Sequence, residues 1–350
     1  MRIFRDLQSI SNLPDSLLDV DITLVVPVRN EEKNIPNLLK SLRSQTDRRF
    51  QLVIANDGST DMTAAVIKET SSKLGMTDKL TFFDVGERPT GWSPKVWACH
   101  EGASHIRTPL VLFLDADVTL SDRAIAQVKH LLSSQVVCTS LPYFFPVKIW
   151  ELIEGVYWTV VLSASHVPHS KFRRFCIGQF LGFQMDFYRK AGGHKAVWNE
   201  LAEDQAMEKH LRKNFSIKMS VCQPGLYSVR MYESFGAFLV GWKRILRLGL
   251  VEKEPISIAV PFLLVMGALM AAGSLWTGLL KLQTFSFWGF SLYALWAAFF
   301  FFFSRKFTRS SAASATAYPL AILVFVWISA AAAASQLLRR EYRWRGRRLS

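Results

Sequence analysis

The apolar run Val111-Leu112-Phe113-Leu114 ends abruptly in Asp115-Ala116-Asp117, two carboxylates two residues apart. Such a run reads as a strand of a buried parallel sheet, and open α/β sheets bind ligands just beyond the carboxyl ends of their strands. Two carboxylates there suit a hard divalent cation, Mg2+ or Mn2+, which takes oxygen ligands and draws some of them from substrate phosphates. Capping of the next helix explains the pair less well, because Ser121-Asp122 is a better helix start. Two other segments carry polar groups that could converge on the same place: Pro27-Val28-Arg29-Asn30-Glu31 and Asn56-Asp57-Gly58. A nucleotide diphosphate with a metal fits these parts. Asp57 could accept hydrogen bonds from a base or ribose, Gly58 would admit a close backbone approach, and Asp115 and Asp117 would hold the cation between the phosphates.

These groups need a sheet to bring them together. Apolar runs predict strands over 22–28, 51–56, 80–85, 109–114 and 136–141. Between them, helices are expected over 31–45, with Asn30 as cap, after the turn 57–61, and over 94–105 and 122–132, with Pro94 in a first turn. Strands alternating with helices imply an α/β fold with a doubly wound, mostly parallel sheet. From 144 to 166 the pattern becomes aromatic and amphipathic, through Phe144, Phe145, Trp150, Tyr157 and Trp158. It suits an in-plane interfacial helix or a core helix covering the sheet equally well. The basic run 171–174 follows, near His166 and His169.

Beyond residue 255 the chain is built for lipid. No charged residue falls within 256–280, 285–304 or 310–338. About 20 apolar residues cross a hydrocarbon core of about 30 Å, so about three transmembrane helices are expected over 255–338. The expected organisation is a catalytic domain over 1–235, a juxtamembrane segment over 236–254, the spans, and a basic tail over 339–350. The net charge of +14 comes from 42 basic and 28 acidic side chains. Much of the excess flanks the apolar stretches, with Lys243, Arg244, Arg247 and Lys253 before them and six arginines after residue 338. Basic clusters beside spans attract anionic headgroups on the cytoplasmic face, which favours a membrane over nucleic acid as partner. A multi-pass protein of the plasma membrane with a cytoplasmic catalytic domain is the expectation. Three spans would then export the arginine-rich end, against the positive-inside tendency, unless a segment is re-entrant. Ile3, Phe4, Leu7 and Ile10 could form one face of a short amino-terminal helix. Cys99, Cys138, Cys176 and Cys222 are too scattered for a disulfide framework or a zinc site.

The ordered set Pro27–Glu31, Asp57-Gly58-Ser59-Thr60-Asp61, Asp115-Ala116-Asp117 and Glu203-Asp204 resembles the family 2 glycosyltransferases of the GT-A fold. Gly91-Trp92-Ser93-Pro94-Lys95-Val96-Trp97-Ala98, Gly178-Gln179-Phe180 and Ala191-Gly192-Gly193-His194 are similar to segments of bacterial carotenoid- and hopanoid-associated lipid glycosyltransferases. The resemblance covers about residues 21–250 and implies a nucleotide-diphosphate sugar as donor, with uridine diphosphate the commonest carrier. It implies donor contacts from Pro27, Arg29, Glu31, Asp57, Lys95, Asp115 and Asp117, with the metal on Asp115 and Asp117. It makes Asp204 the base that deprotonates the acceptor, and puts Trp92, Gln179 and Glu203 on the acceptor side. A lysine in a first helical turn opposes the dipole, which favours a phosphate partner for Lys95.

The resemblance implies inversion by one in-line displacement, onto a lipid acceptor of polyprenyl, carotenoid, hopanoid or glycerolipid type. An acceptor hydroxyl needs a base, whereas a carboxylate or phosphate is already ionised and would leave Asp204 to position substrate. Processive synthases of the family carry Gln-x-x-Arg-Trp before a membrane helix. The corresponding stretch here, around Trp242, Lys243 and Arg244, has the ingredients in another order, which argues for single-sugar transfer. Trp242 and Arg244 either gate the pocket or anchor the chain at the membrane. A nucleotidyltransferase would want a glycine-rich loop after the first strand, and Pro27–Glu31 has no glycine. A catalytically inactive scaffold is disfavoured because every acidic position is present.

Overall fold

A computed structural model describes residues 21–165, 176–216, 219–222, 224–249, 255–280, 287–309, 312–337, 342–344 and 347–349. The amino-terminal face of Ile3 to Ile10, His166, His169, the run 171–174, Lys253, and Arg339, Arg340 and Arg345 lie outside the described residues. The chain divides into two compact units, one of residues 1–144 with 174–230 and one of residues 145–173 with 231–350.

The first unit begins β1 (Ile22–Val28), α1 (Ile35–Arg43), β2 (Phe50–Asn56), α2 (Thr63–Lys73), β3 (Leu80–Asp84), α3 (Pro94–Ser104) and β4 (Leu110–Leu114). The short β5 (Val118–Leu120), α4 (Ala124–Ser134), β6 (Val137–Ser140) and β7 (Tyr143–Phe144) follow. Past the helical segment described below come β8 (Phe180–Gln184), α6 (Met185–Lys190), α7 (Glu203–Asn214), β9 (Met219–Cys222) and β10 (Tyr227–Val229). A seven-stranded sheet runs β3-β2-β1-β4-β8-β6-β9. All its pairs are parallel except those of β8, which runs against β4 and β6. The mostly parallel α/β expectation holds, with that one reversal. β5, β10 and β7 form a second, three-stranded sheet.

Val28 pairs with Asn56, and Leu114 pairs with Phe180. The segments leaving β1, β2 and β4 and the segment entering β8 therefore share one edge of the sheet. β4 is buried along its whole length, as a strand covered on both faces must be. Each such Leu, Val or Phe contributes about 1.5–3 kcal/mol relative to exposure. At the far end of α1, Asp47 and Lys129 of α4 form a buried ion pair at 2.8 Å. Burial draws the Lys129 pKa down, against the pull of Asp47.

The second unit holds α5 (Glu154–Ser165), α8 (Phe235–Gly249), α9 (Pro255–Leu280), α10 (Phe287–Ser304), α11 (Ala312–Thr316), α12 (Tyr318–Leu337) and a hairpin of β11 (Tyr342–Trp344) and β12 (Arg347–Leu349). Within the aromatic segment, α5 packs against α9, α10 and α12. Its apolar residues face all round rather than along one stripe, the pattern of a helix enclosed by others. Gly155 meets Ser304 and Thr308, and Tyr157 meets Phe325 edge-on at 5.1 Å. Three helical segments, Ala259–Thr277, Phe287–Ser304 and Tyr318–Ser335, are long and apolar enough to cross a membrane.

Candidate active site

The loops after β1 and β2 brace each other. Asn30 was expected to cap α1, but the helix starts later, with Asn34 at its cap position. Asn30 instead takes a left-handed conformation (φ 55°), which asparagine tolerates better than most residues. Its side chain accepts from the Thr60 N–H at 2.8 Å, and its own N–H donates to Ser59 Oγ at 3.0 Å. The Glu31 N–H donates to Thr63 Oγ1 at 2.7 Å. Arg29 donates to the Asp57 carbonyl, and its guanidinium lies 3.7 Å from the Asp57 carboxylate. Arg29, Glu31 and Asp57 are thus fixed around adjacent strand ends.

Asp115 leaves β4 beside a lysine. Lys95, in the first turn of α3, reaches Asp115 Oδ1 at 2.7 Å and Glu203 Oε1 at 2.6 Å. Glu203 and Asp204 open α7, where carboxylates complement the helix dipole. Asp204 accepts from the Gly178 N–H at 3.1 Å and the Gln205 N–H at 2.8 Å. A glycine is needed at 178. A Cβ there would stand 2.8 Å from Glu203 Oε1 and 3.3 Å from both Asp204 Cβ and Lys95 Nζ. Pro27, Lys95, Asp115, Gly178, His194 and Glu203 line one pocket in this unit.

The charges in this pocket are unequal. Burial opposes the charge on Lys95, but Asp115 and Glu203 outweigh it and hold its pKa well above the usual lysine value. Burial likewise opposes Glu203 ionisation, yet Lys95 keeps its pKa low. Burial and then Glu203 push Asp204 up to about 6. Burial, then Asp115 and Glu31, push Asp117 up to about 7. Asp117 Oδ1 is buried and accepts no hydrogen bond from the described residues. Such an atom is costly to leave unpaired, and a cation on Asp115 and Asp117 would satisfy it. Among the described residues no group of three or more His, Cys, Asp or Glu side chains forms a ready cage. Two carboxylates plus substrate phosphates is a donor set that suits Mg2+ or Mn2+.

The remaining candidates divide. Gln179 accepts from Tyr227 Oη at 3.3 Å, and Tyr227 stacks on Phe180 at 5.1 Å. Trp92 packs with Trp97, His100 and Trp198 at centroid distances of 5.0, 5.1 and 6.3 Å, alongside Lys95. Trp242 and Arg244 belong to α8 in the helical unit. Trp242 is fully buried there, edge-on to Tyr157 at 5.0 Å and Trp158 at 5.9 Å, so its surroundings are those of a packing residue.

His194 is a pocket residue to which sequence reasoning gave no role, although its Gly-Gly-His segment stood out. Gly193 has φ +52°, and a Cβ on it would come within 2.6 Å of Tyr188. That close approach carries His194 inward, where Tyr188 Oη meets its Nδ1 at 2.8 Å. Burial lowers the His194 pKa to about 3, so it is neutral. Two adjacent glycines before a histidine were the available signal.

Residues 23–154 match the family described as Glycosyl transferase family 2. The 4,4'-diaponeurosporenoate glycosyltransferase of Staphylococcus haemolyticus (strain JCSC1435) is 28% identical over 263 residues, 73% of this chain and 68% of the relative. The protein of the same name from Staphylococcus aureus (strain USA300) is 25% identical over 324 residues, 88% of this chain and 82% of the relative. Among solved structures, the mannosyltransferase PcManGT from Pyrobaculum calidifontis, in complex with GDP-Man and Mn2+, aligns with a TM-score of 0.55 at 14% identity. That alignment covers 97% of this chain and 94% of the other. The shared fold is the GT-A type.

Proposed function

We propose that this glycosyltransferase, through its family 2 domain, moves a single sugar from a nucleoside-diphosphate sugar to a lipid acceptor at a membrane, with inversion. The observation that carries the reading is the gathering of Asp115, Lys95 and Glu203 on one pocket at the carboxyl edge of the sheet, with Asp204 accepting from the Gly178 N–H that lines it and an unpaired buried oxygen on Asp117. Arg29 and Asp57 stand at the neighbouring strand ends, where the nucleoside would lie. Lys95 then meets the diphosphate. Asp115 and Asp117 hold a divalent cation, which would supply Lewis-acid stabilisation of the leaving group.

Asp204 takes the proton of an acceptor hydroxyl. Its raised pKa, about 6, keeps it ionised at neutral pH while making it a stronger base than an ordinary aspartate, and general-base help is worth typically about 10²- to 10⁴-fold. For an acceptor that is itself a carboxylate, Asp204 only orients it. The names of the staphylococcal relatives, and the cluster of Trp92, Trp97 and Trp198 at the start of the helix that carries Lys95, favour a polyisoprenoid of carotenoid type as acceptor. Three helices able to span a bilayer would keep such an apolar chain within reach, with the family 2 domain on the cytoplasmic face of the cell membrane.

The test is turnover by the full-length protein in lipid, with labelled uridine and guanosine diphosphate sugars and with polyene carboxylate, polyprenyl and glycerolipid acceptors. The expected result is one labelled sugar per lipid, lost on chelation of the metal. Label appearing only in polymer, or only in free sugar, would overturn the reading.

A further inference from the structure

The proposed cation site holds a cation of the protein's own. Lys95 Nζ sits 2.7 Å from Asp115 Oδ1 and 2.6 Å from Glu203 Oε1, so the ammonium already holds one oxygen of a proposed metal ligand. It is well seated. Pro94 begins the helix that carries it, and the bare backbone of Gly178 lets Nζ approach to within 3.3 Å of where a Cβ would be. Charge-assisted contacts of this length are among the stronger hydrogen bonds. A divalent ion arriving alone must either share Asp115 with the ammonium, whose like charge repels it, or break the Lys95–Asp115 contact. A diphosphate removes that cost on both sides. It offers the ammonium a new anion, and it offers the metal the oxygens that two aspartates do not supply.

We propose that Lys95 is the resting counter-ion of the donor site, holding Asp115 until a nucleoside diphosphate arrives, so that the divalent cation and the diphosphate bind as a pair. The inference rests on the reading above that Asp115 and Asp117 hold the cation. Lys95 is then a positioning residue as well as a phosphate contact, since it also secures Glu203, the neighbour of Asp204. It links occupancy of the donor side to the start of α7.

Binding of Mn2+ to the full-length protein, followed by the electron paramagnetic resonance of the free ion, tests this without turnover. Wild type, Lys95→Met and Lys95→Arg are titrated alone and, in separate arms, with uridine or guanosine diphosphate. Without nucleotide, Lys95→Met should bind Mn2+ about tenfold or more tightly than wild type, within the usual range of coupling between sites. Lys95→Arg, which keeps the charge, should stay near wild type. Nucleotide should tighten Mn2+ binding by wild type strongly and by Lys95→Met much less. Lys95→Gln replaces the Met variant if that one melts early. Equal nucleotide-free affinities in wild type and Lys95→Met, or equal tightening by nucleotide, overturn the proposal while leaving the metal assignment intact. Absence of Mn2+ binding by wild type in every nucleotide arm removes the metal assignment itself, and the proposal with it.

Discussion

At the residue scale, Asp117 and Asp204 make separable predictions. Asp117→Ala removes the carboxylate with the unpaired buried oxygen, so transfer should be abolished while the thermal melt stays near that of wild type. A variant that keeps wild-type turnover after stripping and chelation would remove Asp117 from the metal. Asp204→Asn keeps the shape but only one of the two oxygens that accept from the Gly178 and Gln205 N–H groups. With a hydroxyl acceptor it should lower kcat by about 10²-fold or more and leave the donor KM nearly unchanged. The pH profile gives the sign. A base with its pKa raised to about 6 is increasingly protonated below that value, so kcat should fall on the acid side of pH 6. The limb should vanish in Asp204→Asn, and a limb that persists there belongs to another group. Asp57, Asp115 and Asp117 were legible in the sequence because each follows an apolar run directly, and a strand end fixes where its next residue lies. The contact of Lys95 with Glu203 was not legible. It joins two helices 108 positions apart (203 minus 95), and no local pattern records such a meeting.

At the element scale, local periodicity gave five of the seven strands of the main sheet and most of the helices between them to within a few residues, but neither β8 nor β9. It could not give direction, since antiparallel β8 has the same apolar character as its parallel neighbours. It also put the start of α1 too early, because the polar groups of 29–34 serve the braces between loops rather than a helical first turn. The contact between Asp47, in the loop after α1, and Lys129 of α4 allows a stability prediction. Lys129 and Asp47 are both buried, and each holds the other's charge. Asp47→Ala strands an ammonium in the core and should cost about 3–5 kcal/mol, whereas replacing both by apolar residues of similar size should be close to neutral. Thermal or denaturant melts of the single and double variants measure the difference. A single variant as stable as wild type would show that water reaches Lys129.

At the scale of the whole molecule, the apolar region beyond residue 255 was plain from composition, because stretches of that length without charge have few uses other than crossing a bilayer. The membership of α5 was not plain, since an enclosed helix and an interfacial one can share a composition. Its residues Tyr157, Val160 and Leu162 are buried, and α5 packs against α9, α10 and α12, the first of which begins 90 residues after α5 ends (255 minus 165). A chain ending at residue 254 keeps every proposed catalytic residue but strips α5 of α9, α10 and α12. It should be recovered as aggregate rather than as a monodisperse enzyme, by size-exclusion chromatography. A soluble, active truncated form would show that α5 does not need those helices. The reversed strand also bears on how such enzymes diversify. The proposed donor groups Arg29, Asp57, Asp115 and Asp117 sit on loops that depart from their strands, whereas Gly178 and Gln179 lie just before theirs begins. Evolution can therefore lengthen or exchange the approach to β8, and with it what the enzyme decorates, while the grip on the activated sugar passes unaltered from one descendant to the next.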